Sequence, residues 1–212
     1  MSIANDTRFW DRSSRRYAVS KIADQTAYEH TLSRTRALLR PNDRVLELGC
    51  GTGTTALRLA DVVKTYLATD ISGAMITIAA EKVVANPIPS LAFRIATAEG
   101  LLPEDRPYNA VLGFNYLHLV RDLPGTLLRI HTLLATEGLF ISKTPCVGEM
   151  NPLIRLALLP AMRAIGMAPY AGIFRASDLA QLISAAGFDI LASEIHSTNG
   201  NDNRPYIVAR KR

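Results

Sequence analysis

The run Val45-Leu46-Glu47-Leu48-Gly49-Cys50-Gly51-Thr52-Gly53-Thr54 is where this chain most clearly carries chemistry. A ligand crossing such a bend needs close approach to the backbone, and side chains beyond Cβ would block it. Glycine removes the obstacle and permits positive φ. A helix starting behind the bend turns its first free N–H groups toward the ligand. Asp70 follows about 20 residues on, the spacing of a carboxylate that accepts both hydroxyl protons of a ribose. Glycines alone make a tight turn, and an aspartate alone caps a helix; in this order they point to a nucleoside-containing ligand. The loop itself does not choose which nucleoside. Gly51-Thr52-Gly53-Thr54-Thr55-Ala56 also fits the dinucleotide pattern with alanine as its last small residue. Two features favour a cationic nucleoside over a dinucleotide. Glu47, two residues before the first glycine, would repel a pyrophosphate and welcome a cation. The loop also follows a long N-terminal helical segment.

Positioning these residues requires alternating elements, and the apolar pattern supplies them. Arg44–Leu48 is a short apolar run ended by the glycines, which reads as a buried strand, with a helix at Thr54–Asp61. A strand at Thr65–Thr69, closed by Asp70, and a helix at Gly73–Val84 come next. Strands at Leu91–Ala96 and Tyr108–Phe114, a helix at Asp122–Leu134 and a strand at Leu139–Lys143 continue the rhythm. Such alternation requires parallel crossovers and a sheet covered on both faces. A basic, mixed segment over 7–21 precedes a helix at Ile22–Leu39, with Pro41 past its end. Residues 145–172 are apolar, interrupted by prolines, and predict one or two kinked helices. Ser177 is expected to cap a helix at Asp178–Ala186 that stops at Gly187. Phe188–Ile195 and Tyr206–Arg210, joined by a polar loop, predict an antiparallel pair.

Composition narrows the class. The chain has 212 residues, 48% of them hydrophobic and 20% charged, enough for one well-filled domain and too apolar for disorder. Two distant cysteines, Cys50 and Cys146, exclude a disulfide-dense scaffold and a four-cysteine zinc site. No His/Cys/Asp/Glu cluster has metal spacing, so no metal is expected. The start carries no signal-peptide pattern, and no run of about 18 apolar residues exists, so a cytoplasmic protein without a membrane span is expected. The net charge of +5 is concentrated in residues 1–44, which hold nine Lys/Arg against five Asp/Glu. No RNA-binding signature accompanies it, and solvated helix faces account for it without nucleic acid.

With these residues assembled, the chain resembles the class I S-adenosylmethionine-dependent methyltransferases, and within them the small-molecule branch that includes the ubiquinone and menaquinone biosynthesis enzymes. VLELGCGTG is similar to that family's first motif and ATDIS to its second. AEGLLPEDRPYNAVLGFNYLHLV resembles the region from the third to the fourth strand, LLRIHTLLATEGLFISK the helix, turn and fifth strand, and FRASDLAQLISAAGFDIL the late helix and strand. The resemblance spans roughly 42–195. It implies a Rossmann-like methyltransferase fold: a seven-stranded, mostly parallel sheet with an antiparallel last strand and helices on both faces, as one domain over 1–212. It implies S-adenosylmethionine as cofactor and S-adenosylhomocysteine as product. Glu47, Gly49, Cys50 and Gly51 would line the methionine part, Asp70 would hold the ribose, and Ile71 would pack on the adenine. Thr97, Ala98 and Glu99 would face the adenine amino group. Gly113 and Phe114 would bring a carbonyl toward the ammonium, and Tyr17 would close over the methionine end. Three positions depart from the family: Thr97 in place of an aspartate, Tyr108-Asn109 in place of an aromatic-aspartate pair, and Thr136-Glu137-Gly138 in place of proline-glycine-glycine.

Methyl transfer from a sulfonium is an in-line displacement that needs positioning first and a base only if the nucleophile arrives protonated. Tyr116 and His118, just past the fourth strand, are the catalytic candidates, and an unperturbed His118 would titrate near neutrality. The alternative for His118 is a helix cap or sheet-edge packing; His30, His131 and His196 look structural or peripheral. Two pieces are expected to roof the acceptor: the N-terminal lid and helix over 1–41, with Phe9, Trp10 and Tyr17, and the insertion over 145–175. The insertion brings Met150, Leu153, Leu156, Leu159, Met162, Ile165, Met167, Tyr170 and Phe174. Apolar roofs favour a lipophilic or aromatic small molecule. The same side chains would otherwise serve as core, as a homodimer face, or as a rest on a membrane surface with Arg155 and Arg163. A non-catalytic binding module, and an NAD-dependent oxidoreductase, are the competing functions.

Overall fold

The computed structural model describes residues 3–102, 106–198 and 202–212, with the Arg155 side chain left aside. Parts of the polar loop before the last strand, and of the stretch between the third and fourth strands, therefore lie outside the described residues. Helix α1 (Ile3–Ala18) and α2 (Gln25–Arg36) lead into β1 (Arg44–Leu48), α3 (Ala56–Leu59), β2 (Thr65–Asp70), α4 (Gly73–Val84) and β3 (Leu91–Ile95). The second half runs β4 (Tyr108–Phe114), α5 (Leu123–Leu133), β5 (Leu134–Lys143), α6 (Leu159–Ala164), α7 (Ala176–Ala185), β6 (Phe188–Ile195) and β7 (Pro205–Lys211). The seven strands order as β3-β2-β1-β4-β5-β7-β6. Neighbours pair in parallel from β3 through to β5, and β7 runs antiparallel between β5 and β6.

Strand interiors explain the layering. Successive side chains point to opposite faces, so β1 sends Leu46 and Leu48 one way and Val45 the other. The first set meets Val111, Phe140, Leu127 and Ile130 of α5, and Leu179 and Ile183 of α7. The second meets Tyr66, Leu112 and Ile141 under Leu32 and Leu59. After β1 the chain turns to β2 on one side, while β4 adds on the other. This reversal opens a crevice beyond the carboxyl ends of β1 and β4, where ligands of open α/β sheets bind.

Helix boundaries depart from the sequence expectation for local reasons. Residues 7–21, read as a mixed basic segment, belong largely to the regular helix α1. Helix α2 starts at Gln25 instead of Ile22, because the Asp24 carboxylate accepts the Ala27 N–H at 2.9 Å. Helix α3 is one turn, followed by a tighter turn at Ala60–Val62 whose Ala60 carbonyl is taken by the Ser90 hydroxyl. Ser177 lies inside α7 and does not cap it. The Asp178 carboxylate instead reaches back to the Arg175 N–H at 2.9 Å. Strand β5 begins at Leu134, ahead of the expected Leu139, and passes through Glu137 at φ 61° with a register shift against β4.

Gly53 closes the loop after β1 at φ 75°, and a Cβ there would lie 2.9 Å from the Phe93 ring. A left-handed non-glycine residue costs about 1–2 kcal/mol before any clash. Gly53→Ala should therefore lower the unfolding free energy by about 2 kcal/mol or more in urea titrations; an unchanged midpoint would mean that the loop relaxes without cost.

Candidate active site

A cavity of about 500 Å³ opens beyond β1, β2 and β4. Its floor is the glycine bend. Gly49 and Gly51 adopt φ 68° and 54°, and the bend is walled by two tyrosines: a Cβ on Gly49 would fall 2.7 Å from the Tyr116 ring, and one on Gly51 3.4 Å from Tyr17. Asp70 ties this bend to β2. One carboxylate oxygen accepts the Gly51 N–H and the other the Ser72 N–H, each at 2.9 Å. Each oxygen keeps a second lone pair for a ligand. Burial raises the Asp70 pKa despite these bonds.

Glu47 stands behind the bend, 2% exposed, and is not among the cavity-lining residues. Its carboxylate accepts the Tyr66 hydroxyl at 2.9 Å. Burial, with a smaller contribution from the Asp70 charge, pushes its pKa up to about 7. Cys50 is buried, its thiol pKa driven up by that burial and then by Glu47 and Asp70. Gly113 does not line the cavity either, although a Cβ there would touch Tyr116 at 3.4 Å. Tyr17, Ile71, Thr97, Ala98, Glu99, Phe114, Tyr116 and His118 all line it, with Gly49, Gly51 and Asp70.

The two catalytic candidates differ in character. Tyr116 packs between the bend and the turn after β3, where its hydroxyl accepts the Ala98 N–H and burial raises its pKa. It holds its proton at neutral pH and serves as wall. His118 lies in a tight turn at Leu117–Leu119, with Nδ1 2.9 Å from the Thr144 hydroxyl. The near-neutral titration expected of it does not hold: burial lowers its pKa to about 4, so the ring is neutral at pH 7. Beside it, Thr126 donates to the Glu99 carboxylate at 2.6 Å, and Thr97 accepts the Gly100 N–H at 3.2 Å.

Helix α1 supplies the roof through Ile3, Asp6, Trp10 and Tyr17. Two aspartates fasten it. Asp6 pairs with Arg121 at 2.7 Å, and that guanidinium also lies 4.6 Å from the Tyr170 ring centre. Asp11 accepts the Ser72 hydroxyl at 2.6 Å and the Ala74 N–H at 3.2 Å, so α1 caps α4. Asp6, Asp11 and Arg121 escaped the sequence reading; their signal was two acids within an otherwise basic helix. The insertion contributes less than expected. Pro145 lines the cavity, Phe174 is buried in the core, and Leu153, Leu156, Ile165 and Met167 are exposed. Met150, Leu159, Met162 and Tyr170 are half-buried. His131 lies against Gly187 and Phe188, and the His30 ring lies tilted against His196 at 4.2 Å, both apart from the cavity lining.

Residues 20–193 match the family described as a methyltransferase domain. This chain belongs to the class I S-adenosylmethionine-dependent methyltransferase family. Magnesium protoporphyrin IX methyltransferase of Synechocystis, solved with S-adenosylhomocysteine bound, superposes on the methyltransferase domain with a TM-score of 0.71 at 18% identity, covering 98% of this chain and 96% of that one. The [4+2]-cyclase SpnF superposes with a TM-score of 0.67 at 19% identity over 87% of this chain and 80% of its own. In sequence, the mitochondrial arginine-hydroxylase NDUFAF5 of Danio rerio is 29% identical over 211 residues, covering 91% of this chain and 63% of that protein. The chain thus spans less than two thirds of that relative's length.

The cavity fits the family's cofactor on physical grounds. A cradle that a Cβ would fill receives the ligand backbone-close, Asp70 offers spare lone pairs, and Glu47 and Asp70 concentrate negative charge beside the bend. The Glu47 carboxyl binds its proton more tightly folded than unfolded. Its contribution to stability is therefore complete below its ordinary value of 4.5 and is lost as pH rises toward about 7. Glu47→Gln, which can still accept from Tyr66, should leave the ligand-free methyltransferase domain about equally stable at pH 5. At pH 8 the variant should be more stable by an amount on the order of 2–3 kcal/mol. Denaturant titrations at both pH values check this, and equal effects at the two would show Glu47 ionised throughout.

Proposed function

We propose that the chain transfers the methyl group of S-adenosylmethionine to a small lipophilic or aromatic acceptor held beneath α1. The observation that carries this reading is a single cavity. In it the glycine bend and Asp70 adjoin a chamber walled by Ile3, Trp10, Leu119, Val120 and Pro145. When bound, the sulfonium supplies a methyl group already joined to its leaving group. The residues of the chain do the rest. Asp70 takes the ribose hydroxyls, Ile71 and Ala98 the adenine, and Glu47 lends negative charge from behind the bend. Tyr17 and Trp10 exclude water. Holding acceptor and donor in line supplies about 7–11 kcal/mol of barrier reduction, and no covalent enzyme intermediate is needed. Neutral His118 orients an acceptor hydroxyl or amine; with a pKa of about 4 it removes protons readily only from acidic nucleophiles.

A second reading is favoured by the arginine-hydroxylase relative. Glu99 and Asp122 also line the cavity, and their carboxylates would suit a guanidinium acceptor. Product mass separates the two readings, since methylation adds a methylene and hydroxylation an oxygen.

Calorimetric titration with S-adenosylmethionine, S-adenosylhomocysteine and NADH tests the cofactor. Micromolar binding of the first two is expected. Asp70→Ala should weaken it about 10- to 100-fold, the worth of hydrogen bonds to a charged group. Tight NADH binding alone would overturn the proposal, and cofactor binding without methylation of any aromatic or lipophilic acceptor would favour the binding module. A cation beside Glu47 lowers that carboxyl's pKa. Affinity for S-adenosylmethionine should thus rise with pH to just above about 7 and then level off, with proton release on binding. A flat profile would detach Glu47 from the sulfonium.

A further inference from the structure

The outer side of α1 presents a different chemistry from its cavity side. Ile3, Asp6, Trp10 and Tyr17 line the cavity, while Arg8, Arg12, Arg15 and Arg16 lie on the other side of the helix, exposed. Arg8 and Arg12 form one wall of a groove of about 280 Å³, and Arg163 and Gly166, at and beyond the end of α6, form the other. Asp6, which also borders the groove, is already committed to Arg121. Among the described residues, Arg8, Arg12 and Arg163 take part in no salt bridge. Arg8 donates to Asn5 within its own helix, and Arg163 lies 5.0 Å from the Tyr170 ring centre. On either side of Gly166, Ile165 is 71% and Met167 60% exposed. Further back in the same segment Leu153, Leu156 and Leu158 are exposed as well. Guanidinium groups and bare apolar side chains thus share one rim.

We infer that the outer face of α1 and the apolar segment 153–167 dock on an anionic lipid bilayer, with a headgroup phosphate seated between Arg8, Arg12 and Arg163. Charge complementarity selects this occupant. Guanidinium groups pair with phosphate oxygens in bidentate fashion, and apolar side chains beside them bury into the acyl boundary. A nucleic acid would satisfy the arginines and leave Ile165 and Met167 in water. A second copy related by a two-fold axis would cover the apolar chains but bring like charges face to face. Docked this way, the bilayer would lie against the roof of the cavity, from which a lipophilic molecule could pass beneath α1. The docking itself does not depend on the methyl-transfer reading.

Co-sedimentation of the full chain with vesicles tests it. One set is phosphatidylcholine alone and the other includes phosphatidylglycerol, each at low and high salt. Retention is expected on the anionic vesicles at low salt, at least fivefold above the neutral ones. Arg12→Glu and Arg163→Glu should each reduce it about fivefold or more, the effect of one basic residue near a charged surface. The double substitution Ile165→Ser with Met167→Ser should weaken retention without changing its salt dependence. Arg12, Ile165 and Met167 are exposed and Arg163 is half-buried, and far-ultraviolet dichroism with thermal unfolding reports an intact fold. The inference is overturned if anionic vesicles retain nothing, or if every variant is retained equally. It is also overturned if inorganic phosphate displaces the protein while the apolar pair has no effect. Retention on poly(U) RNA without vesicle binding would assign the arginines to nucleic acid instead. A dimer abolished by the same substitutions, again without vesicle binding, would assign the face to self-association.

Discussion

Two carboxylates kept out of water beside a stretch of backbone without side chains govern this molecule. The Asp70 charge adds to the burial that raises the proton affinity of Glu47, and both carboxylates also act on Cys50 and Tyr17. Such an arrangement is costly, because burial penalises each charge. The chain offsets part of that cost locally. Tyr66 donates to Glu47, and two backbone N–H groups donate to Asp70. What remains is negative charge held beside a stretch of backbone that carries no side chains.

The sheet delivers both groups to the same place. Glu47 sits near the end of β1 and Asp70 at the end of β2, paired in parallel register so that both ends point the same way. Parallel pairing makes the carboxyl ends coincide, and the reversal between β1 and β4 leaves them uncovered. Tyr116 then fills the space that Gly49 leaves, and Tyr17 the space above Gly51. The glycines thus make room for aromatic walls as much as for a ligand.

Much of this was legible in the residues. Strands β1, β2 and β4 were visible to within a residue, because buried parallel strands are short apolar runs punctuated by glycine or a polar cap. The bend and Asp70 were legible for the same reason. Helix α1 was not, since its apolar positions are few and widely spaced, and its regularity depends on Asp11 and Asp6 finding partners far along the chain. The insertion misled in a different way. Its apolar composition suggested a roof, but composition does not say which face a segment presents, and here Leu153, Ile165 and Met167 face outward. His118 shows a third kind of gap: its residue type suggests a neutral-range titration, and only its enclosure moves it down.

Asp11 gives α4 the N-terminal partner that its own sequence supplies only in part through Ser72, and Ser72 also holds Asp70 by its N–H. The covering helix, the start of α4 and the Asp70 carboxylate are therefore links of one chain. Lifting the first uncaps the second and slackens the third. Any movement of α1 away from the cavity therefore strips the first turn of α4 of its Asp11 acceptor, so that opening the roof and fraying that helix end are one event.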